Sequence, residues 1–370
     1  MKYYIIAGEA SGDLHGANLI KAIHTIDDDA QCRVWGGDLM EQAGGTLVKH
    51  YKALAFMGFL EVVMNLRTIL KNINFCKKDI AAYQPHVVIF IDYPGFNLRI
   101  AKWAKMQGFQ THYYISPQLW AWKENRIRQI KRDIDKMYVI LPFEKDFYEV
   151  KHHMPVTFVG HPLIDAIANR PKINPTNLRQ QYGLSDQPII ALLPGSRRQE
   201  IKKMLKVMLS VVKAFPNYQF VIAGAPSLPD AFYRTFIKNT NVTLVNNATY
   251  DLLSLADAAL VTSGTATLET ALFKVPQVVC YKSSWVSYQI GKQVVKLKFI
   301  SLVNLIMNRE VVCELIQGDF NTKRLTKELQ HILDPKIQQN IKADYDTLEQ
   351  QLGGPGASQK VAKAVIETLS

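Results

Sequence analysis

The stretch that decides the fold is AALVTSGTATLETALFKVPQVVCYK, residues 258–282. Residues 258–261 form an apolar run of strand length, and Ser263 with Gly264 predicts a tight turn. Residues 265–273 then have the pattern of a helix, and residues 278–281 that of the next strand. The stretch is therefore a β-α-β unit, which predicts a parallel sheet in an α/β domain.

The turn at Gly264 is a candidate anion site. The backbone N–H groups of Thr265, Ala266 and Thr267 are expected to point outwards at the positive end of the helix dipole. Glu269 lies one turn into the helix and would repel an anion, so its expected partner is neutral, such as a ribose diol. Phosphate and ribose together indicate a nucleotide. The alternative is an ordinary turn, with Thr265 as a cap and Glu269 as a surface charge.

A second turn of this kind follows the apolar run 189–193. Gly195 and Ser196 predict a tight turn, and Arg197 opens the next helix, so a guanidinium stands at an anion-binding helix start. The lysine and the spacing of a P-loop are absent, so the sequence does not support ATP-driven chemistry. Because both turns follow strands in one half of the chain, a doubly wound sheet brings them to one cleft.

The first half of the chain carries carboxylates at its predicted strand ends. GEASGDLHG, residues 8–16, follows the apolar run 3–7. It makes Glu9, Ser11, Gly12 and Asp13 candidates for contacts with hydroxyls. Its glycines do not match the dinucleotide spacing, and a merely structural turn is the alternative. Asp92 ends the apolar run PHVVIFID, where partial burial would raise its pKa and suit a general base. The alternative for Asp92 is a helix N-cap.

Residues 54–70 are more apolar than one buried helix stripe requires. They are either a core helix or an exposed surface for acyl chains or a bilayer, beside Lys71, Lys77 and Lys78. The apolar residues of this candidate surface are Phe56, Met57, Phe59, Leu60, Val63, Leu66 and Leu70.

Trp120 and Trp122 precede a basic run from Lys123 to Arg132, which suits a sugar, phosphate or base-stacking site, or is a solvated helix face. His161 follows another strand and is a candidate for a ligand contact or a structural residue.

Composition limits the class of protein. The 370 residues are 48% hydrophobic, and this length predicts two domains. The net charge of +12 suits nucleic acid, an anionic membrane surface or phosphorylated substrates. The four cysteines form no close pair, so neither a disulfide framework nor a zinc site is indicated. This use of cysteine fits a reducing cytoplasm. No apolar run reaches the roughly 18 residues of a membrane span, which predicts a soluble or peripheral protein.

Nine motifs in a fixed order resemble one family, the lipid-A-disaccharide synthases. They are AGEASGDLHG, MGFLEV, FIDYPGFN, SPQLWAWK, LPFEKDFY, GHPLID, LPGSRRQEI, SGTATLE and SLVNLI, between residues 7 and 306. The resemblance implies a GT-B fold, in which two Rossmann-like, doubly wound parallel-sheet domains face a cleft. We expect an acceptor and membrane domain at residues 1–165, a linker at 166–188 and a UDP-sugar domain at 189–340. Residues 341–370 would return to the first domain or cross to a partner in a homodimer.

The resemblance also implies the reaction of an inverting glycosyltransferase without a metal or another cofactor. UDP-2,3-diacylglucosamine would be joined to 2,3-diacylglucosamine 1-phosphate, giving a β-1,6 disaccharide and UDP on the cytoplasmic face of the inner membrane. Asp92 would be the general base, and Glu9 and Asn304 would bind sugar hydroxyls or orient the base, which makes Glu9 a second catalytic candidate. With Ser11, already a candidate for hydroxyl contacts, Asn304 would form the substrate site. Where the family often has PDFN, residues 94–97 read PGFN, so Asp92 has no acidic neighbour there.

Two rival functions share some of these features. A soluble sugar-nucleotide transferase or epimerase needs the same nucleotide cleft but no apolar surface. A nucleic-acid-binding protein would use the basic run, but it would leave Asp92 and Glu269 unexplained, because carboxylates repel phosphates.

Overall fold

The computed structural model describes residues 1–53, 66–171, 173–238, 240–283, 288 and 298–369, which form two compact α/β units. The first unit comprises Met1–Ala168 and Leu352–Ser370, and the second comprises Asn169–Gln351. The chain leaves the first unit within residues 166–188, the predicted linker. It returns after the helix Pro335–Gln351, and its last helix, Ala357–Glu367, packs on Ala10–His24 of the first unit.

The first unit contains a seven-stranded parallel sheet with the order β3-β2-β1-β4-β5-β6-β7. In chain order, its strands β1 to β7 are Lys2–Ala7, Gln31–Gly36, Thr46–His50, Val87–Ile91, Gln110–Tyr114, Lys136–Val139 and Thr157–Phe158. Its described α-helices are Ala10–His24, Asp38–Gln42, Leu66–Tyr83, Pro94–Met106, Ile127–Asp133, Pro142–Asp146, Pro162–Ala168 and Ala357–Glu367. The strand order reverses between β1 and β4, and open α/β sheets bind their ligands at such a switch point.

The second unit contains a six-stranded parallel sheet with the order β10-β9-β8-β11-β12-β13. Its strands β8 to β13 are Ile189–Leu193, Gln219–Gly224, Val242–Asn246, Ala256–Thr262, Gln277–Tyr281 and Glu314–Ile316. Its described α-helices are Pro175–Tyr182, Arg198–Met208, Asp230–Ile237, Thr249–Leu253, Thr265–Leu272, Leu302–Met307, Thr322–Ile332 and Pro335–Gln351. Here the order reverses between β8 and β11, the strands that precede the two predicted anion turns.

The central strands are apolar on both faces because helices cover both sides of each sheet. All five residues of β4 (VVIFI) and of β8 (IIALL) are buried. Continuous apolar runs of this kind are typical of strands in parallel sheets. In a sheet with one face exposed to solvent, apolar and polar residues alternate along each strand. No helix within the described ranges is long and apolar enough to cross a bilayer. The four cysteines are free thiols.

Candidate active site

The switch point of the second sheet opens into a cavity of about 310 Å³. The carboxyl ends of β8 and β11 form its floor, and the first turn of helix Thr265–Leu272 forms one wall. Both predicted anion turns border this one cavity. Its lining residues are Leu193, Gly195, Ser196, Glu200, Ala223, Gly224, Ala225, Pro226, Thr249, Thr262, Ser263, Gly264, Thr265, Ala266 and Glu269.

The turn at Gly264 exposes backbone donors to the cavity. Gly264 has a φ of +143°, a conformation that strains any residue with a Cβ, and helix Thr265–Leu272 begins directly after it. In the described part of the chain, the N–H groups of Thr265 and Ala266 have no acceptor. Thr267 differs from the prediction, because its N–H donates to the Gly264 carbonyl at 3.1 Å. Two N–H groups rather than three are therefore available to an anion.

Glu269 is held at the cavity wall by Tyr250, which sequence reasoning missed. The Tyr250 hydroxyl donates a hydrogen bond to Glu269 Oε1 at 3.0 Å. Burial raises the pKa of Glu269, and this hydrogen bond opposes the rise. A fixed carboxylate at this place accepts hydrogen bonds from hydroxyls and disfavours an anion beside it.

The turn after β8 supplies Ser196 to the cavity, while Arg197 is exposed as the N-cap of helix Arg198–Met208 and is not part of the lining. Gly195 has a φ of +104°, and a Cβ on it would lie 2.4 Å from Glu200 Oε2. Glu200, in the first turn of that helix, is a second lining carboxylate that the sequence analysis did not single out. An acidic residue three positions after a helix cap was the available signal.

In the first unit, Asp92 follows β4 at the switch point and has a fixed backbone. Its N–H donates to the Tyr114 carbonyl at 3.1 Å, and its carbonyl accepts hydrogen bonds from Asn97 Nδ2 at 2.7 Å and from the Tyr113 hydroxyl. Asp92 and Tyr93 have φ angles of 42° and 49°, in the left-handed region that costs non-glycine residues energy. These contacts hold a strained backbone that orients the Asp92 carboxylate.

The environment of Asp92 favours its protonated form. Burial raises its pKa to about 6, the negative charge of Glu9 adds to the rise, and a hydrogen bond from the Tyr93 backbone opposes it. The Tyr93 ring packs on Gly8, where a Cβ would lie 2.3 Å from the ring. This contact brings the segment after β1 close to the segment after β4.

The other residues of the first unit that were predicted to contact hydroxyls differ in their burial. Glu9 and Ser11 are exposed at the start of helix Ala10–His24. Asp13 is buried, and its carboxylate accepts hydrogen bonds from the backbone N–H groups of Gly37 and Met40 and, more weakly, from that of Leu39. Asp13 therefore fixes the start of the next helix and does not present its carboxylate to a ligand.

Asn304, predicted to contact a sugar, has a structural role. It is fully buried, its Nδ2 donates to the Val312 carbonyl at 2.8 Å and to Glu314 Oε1 at 2.9 Å, and its Oδ1 accepts from the Val311 and Val312 N–H groups. No donor or acceptor of its amide is left for a substrate. His161 is also buried; burial, with a contribution from His15, lowers its pKa to about 3, so its imidazole is neutral.

The candidate acyl surface is only partly described. Phe56, Met57, Phe59, Leu60 and Val63 lie outside the described residues, as does the side chain of Leu66. Leu70 is 49% exposed on helix Leu66–Tyr83, and Phe75 on the same helix is 46% exposed. Both line a groove with Arg67, Lys71, Asn74 and Lys78. Across the described ranges, no group of three or more His, Cys, Asp or Glu residues is arranged to hold a metal ion.

Comparison with known proteins gives one consistent result. A family model described as lipid-A-disaccharide synthetase matches residues 3–367. The lipid-A-disaccharide synthase of Syntrophus aciditrophicus (strain SB) is 40% identical over 367 residues, 97% of this chain and 95% of the relative. That of Coxiella burnetii (strain Dugway 5J108-111) is 38% identical over 367 residues, 98% of this chain and 96% of the relative.

Solved structures with low sequence identity share the fold. The UDP-GlcNAc 2-epimerase from Neisseria meningitidis bound to UDP-GlcNAc has a TM-score of 0.68 at 14% identity, over 99% of this chain and 100% of that chain. The glycotransferase of kitacinnamycin has a TM-score of 0.67 at 12% identity, over 100% of this chain and 99% of that chain. These likenesses confirm the predicted fold class of two parallel-sheet α/β domains.

Proposed function

The chain belongs to the lipid-A-disaccharide synthase family, and from this premise we propose that Asp92 is the general base of its transfer reaction. The enzyme joins UDP-2,3-diacylglucosamine to 2,3-diacylglucosamine 1-phosphate and releases UDP, which gives the β-1,6-linked disaccharide of lipid A biosynthesis. The rival epimerase function rests on fold likeness at 14% identity or so, whereas the family rests on 40% identity over nearly the whole chain.

The observation that carries the proposal is the position of Asp92 directly after β4, at the switch point of the first sheet, where burial raises its pKa. In the transfer, the 6-hydroxyl oxygen of the acceptor forms a bond to the anomeric carbon of the donor. The bond from that carbon to the diphosphate oxygen breaks, and the hydroxyl proton passes to Asp92. A base with a pKa of about 6 is ionised at neutral pH yet accepts a proton more readily than an ordinary aspartate. Glu9 contributes through its charge.

The cavity of the second unit is proposed to hold the UDP part of the donor. The unpaired N–H groups of Thr265 and Ala266 suit the diphosphate, which becomes more negative as UDP leaves. Ser196 lines the same cavity, and Arg197, the exposed cation next to it in the chain, is proposed to bind a phosphate oxygen of the donor. Glu269, fixed by Tyr250, is proposed to accept hydrogen bonds from the ribose hydroxyls.

Attachment to the cytoplasmic face of the inner membrane is also part of the proposal. Leu70 and Phe75 are large exposed apolar side chains, and the neighbouring Arg67, Lys71 and Lys78 are cations. This combination suits an anionic bilayer surface, where both acylated substrates reside. We also infer the homodimer that the family resemblance suggests, which light scattering of the purified chain tests.

The assignment of Asp92 is tested with the variant Asp92→Asn. UDP release is measured with the donor, with and without the acceptor, in detergent, and UDP affinity is measured separately by calorimetry. We expect turnover to fall by about 10²- to 10⁴-fold, the usual contribution of a general base, while UDP binds as before. Asp28→Asn, an exposed carboxylate in the loop before β2, is the matched control. Near-normal turnover of Asp92→Asn would show that Asp92 is not the general base.

A further inference from the structure

The segment after β5 carries positive charge that no carboxylate neutralises. Glu124 is paired with Lys151 at 2.6 Å and with His152 at 2.9 Å, and Asp133 is paired with Arg132 at 2.6 Å. These pairs use the acidic residues of the segment. Within the described ranges, the cations that remain without a carboxylate partner are Lys123, Arg126, Arg128 and Lys131.

Two of these cations border a groove of about 470 Å³ on the first unit. Its lining contains four cations and two amides, with neither an acidic nor an apolar side chain: Lys102, Asn125, Arg126, Arg128, Gln129 and Arg132. Arg132 is the cation already paired with Asp133, and Gln129 Nε2 donates one hydrogen bond to the Leu98 carbonyl at 3.0 Å, so the unpaired charge comes from the other three cations. Guanidinium groups match the oxygens of phosphate in two-pronged hydrogen bonds, and amides complete such a shell as donors. The chemistry of this basic groove therefore fits an oxyanion and excludes an acyl chain.

The basic groove begins near the edge of the sheet that carries Asp92. Arg126 ends the short turn Glu124–Arg126, at the amino end of helix Ile127–Asp133. Strands β4 and β5 are paired, with Ile91 opposite Tyr114, so Asp92 and the segment after β5 leave the same edge of the sheet. Burial raises the pKa of the Tyr113 phenol, and the positive charge of Arg126 partly opposes the rise. The Tyr113 hydroxyl donates a hydrogen bond to the backbone carbonyl of Asp92. One end of the groove therefore lies on the side of the proposed general base.

A buried carboxylate fixes the loop that leads into the basic groove. Glu144 accepts hydrogen bonds from Ser116 Oγ at 2.7 Å and from Trp120 Nε1 at 3.1 Å, and also from the Leu141 backbone at 3.0 Å. The Trp120 ring packs edge-on against Phe143, 4.9 Å between centroids. The loop between β5 and the basic residues is thus held before any ligand arrives, which lowers the entropy cost of binding.

We propose that the basic groove binds the phosphate group of the sugar-phosphate acceptor. Arg126 and Arg128 donate the main hydrogen bonds to the phosphate oxygens, and Lys102 adds a further positive charge. The inference rests on the proposed function in one respect, since Asp92 marks the acceptor side of the reaction. The groove then selects acceptors that carry a phosphate and holds them while the 6-hydroxyl reacts.

The test compares two acceptors in neutral detergent micelles, 2,3-diacylglucosamine 1-phosphate and the same sugar without its phosphate. The enzyme is used as the full chain, either unchanged or with Arg126→Gln and Arg128→Gln together. For the double variant we expect kcat/KM to fall about 10- to 100-fold with the phosphorylated acceptor and to change by less than about twofold with the other. The KM for the UDP-sugar should not change. Lys102→Gln, on a different helix, should act in the same direction.

Lys131→Gln is the matched control for Lys102→Gln, because each removes one lysine charge. Lys131 lies on the helix that carries Arg128 but borders a different groove. Equal losses with both acceptors, or no loss with either, would overturn the proposal. Unchanged kinetics with weaker flotation on phosphatidylcholine–phosphatidylglycerol vesicles would assign the groove to lipid headgroups and also overturn it. Failure of the Asp92 assignment is seen separately, as retained turnover of Asp92→Asn, and leaves the preference between the two acceptors measurable.

Discussion

Glu9 and Asp92 follow the paired strands β1 and β4, in which Ala7 lies opposite Ile91 at the carboxyl edge of the sheet. Burial raises the pKa of Asp92 to about 6, and the negative charge of Glu9 contributes to the rise. Glu9 itself is exposed, whereas Asp92 is half-buried. Two carboxylates at one switch point thus have different surroundings, which allows one to act as a base and the other to tune it.

This relationship predicts a shift in the pH profile of the variant Glu9→Gln. Asp92 must be ionised to accept a proton, so kcat/KM should fall as the pH drops through about 6. Removal of the Glu9 charge makes ionised Asp92 less unfavourable, which lowers its pKa and moves the acid limb to lower pH. We expect a shift of roughly 0.7 pH unit, since two charges in a partly solvated site interact by about 1 kcal/mol and one pKa unit corresponds to about 1.4 kcal/mol.

The measurement is kcat/KM from pH 5 to pH 8, that is, on both sides of the pKa of about 6. The position of the limb is informative even if Glu9→Gln also lowers the rate itself. Glu41→Gln removes an exposed carboxylate from the same unit and should leave the limb in place. If the acid limb of the pH profile does not move in Glu9→Gln, the charge of Glu9 does not influence the pKa of the base.

The left-handed backbone of Gly264 makes a second prediction. In Gly264→Ala the Cβ meets open space but the φ of +143° is strained, so the turn should relax and displace the N–H groups of Thr265 and Ala266. UDP affinity, measured by calorimetry, should fall about tenfold, as one lost charge-assisted hydrogen bond would require.

The control for this variant is Gly183→Ala, in the same unit. Gly183 also has a positive φ, of 62°, and open space at its Cβ, but it ends helix Pro175–Tyr182 away from the cavity lining. Both variants should lose roughly 1 kcal/mol of stability, because alanine resists a positive φ. If Gly183→Ala weakens UDP binding equally, backbone strain rather than the cavity turn explains the result.

The sequence predicted the fold because the central strands are locally unambiguous. Residues 258–261 and 278–281 were predicted as strands, and they lie within β11 and β12. Apolar runs of this length, each followed by a glycine turn and a helical pattern, allow few arrangements other than parallel β-α units. For the same reason, both turns of the second unit were placed at one cavity, because the switch point of a doubly wound sheet follows from strand order.

The roles of individual polar residues depend on partners that are distant in sequence. The amide of Asn304 is used by residues 311–314, and the carboxylate of Asp13 by residues 37–40. The sequence did not indicate a role for Glu144, yet its side chain is fully buried and its hydrogen bonds hold the loop before the basic run. Sequence spacing does not show which polar group satisfies which buried donor or acceptor, because that choice is made when the chain packs.

The exposed side chains of Leu70 and Phe75, among the cations of helix Leu66–Tyr83, give the last prediction, on membrane binding. The double variant Leu70→Ser, Phe75→Ser should bind vesicles with anionic lipid at least about tenfold more weakly, since a large apolar side chain contributes roughly 1.5–3 kcal/mol when it leaves water. Turnover in detergent should be preserved. Met106→Ser, a residue 74% exposed at the end of helix Pro94–Met106, is the control. Equal vesicle binding by all three proteins would show that residues other than Leu70 and Phe75 carry the attachment.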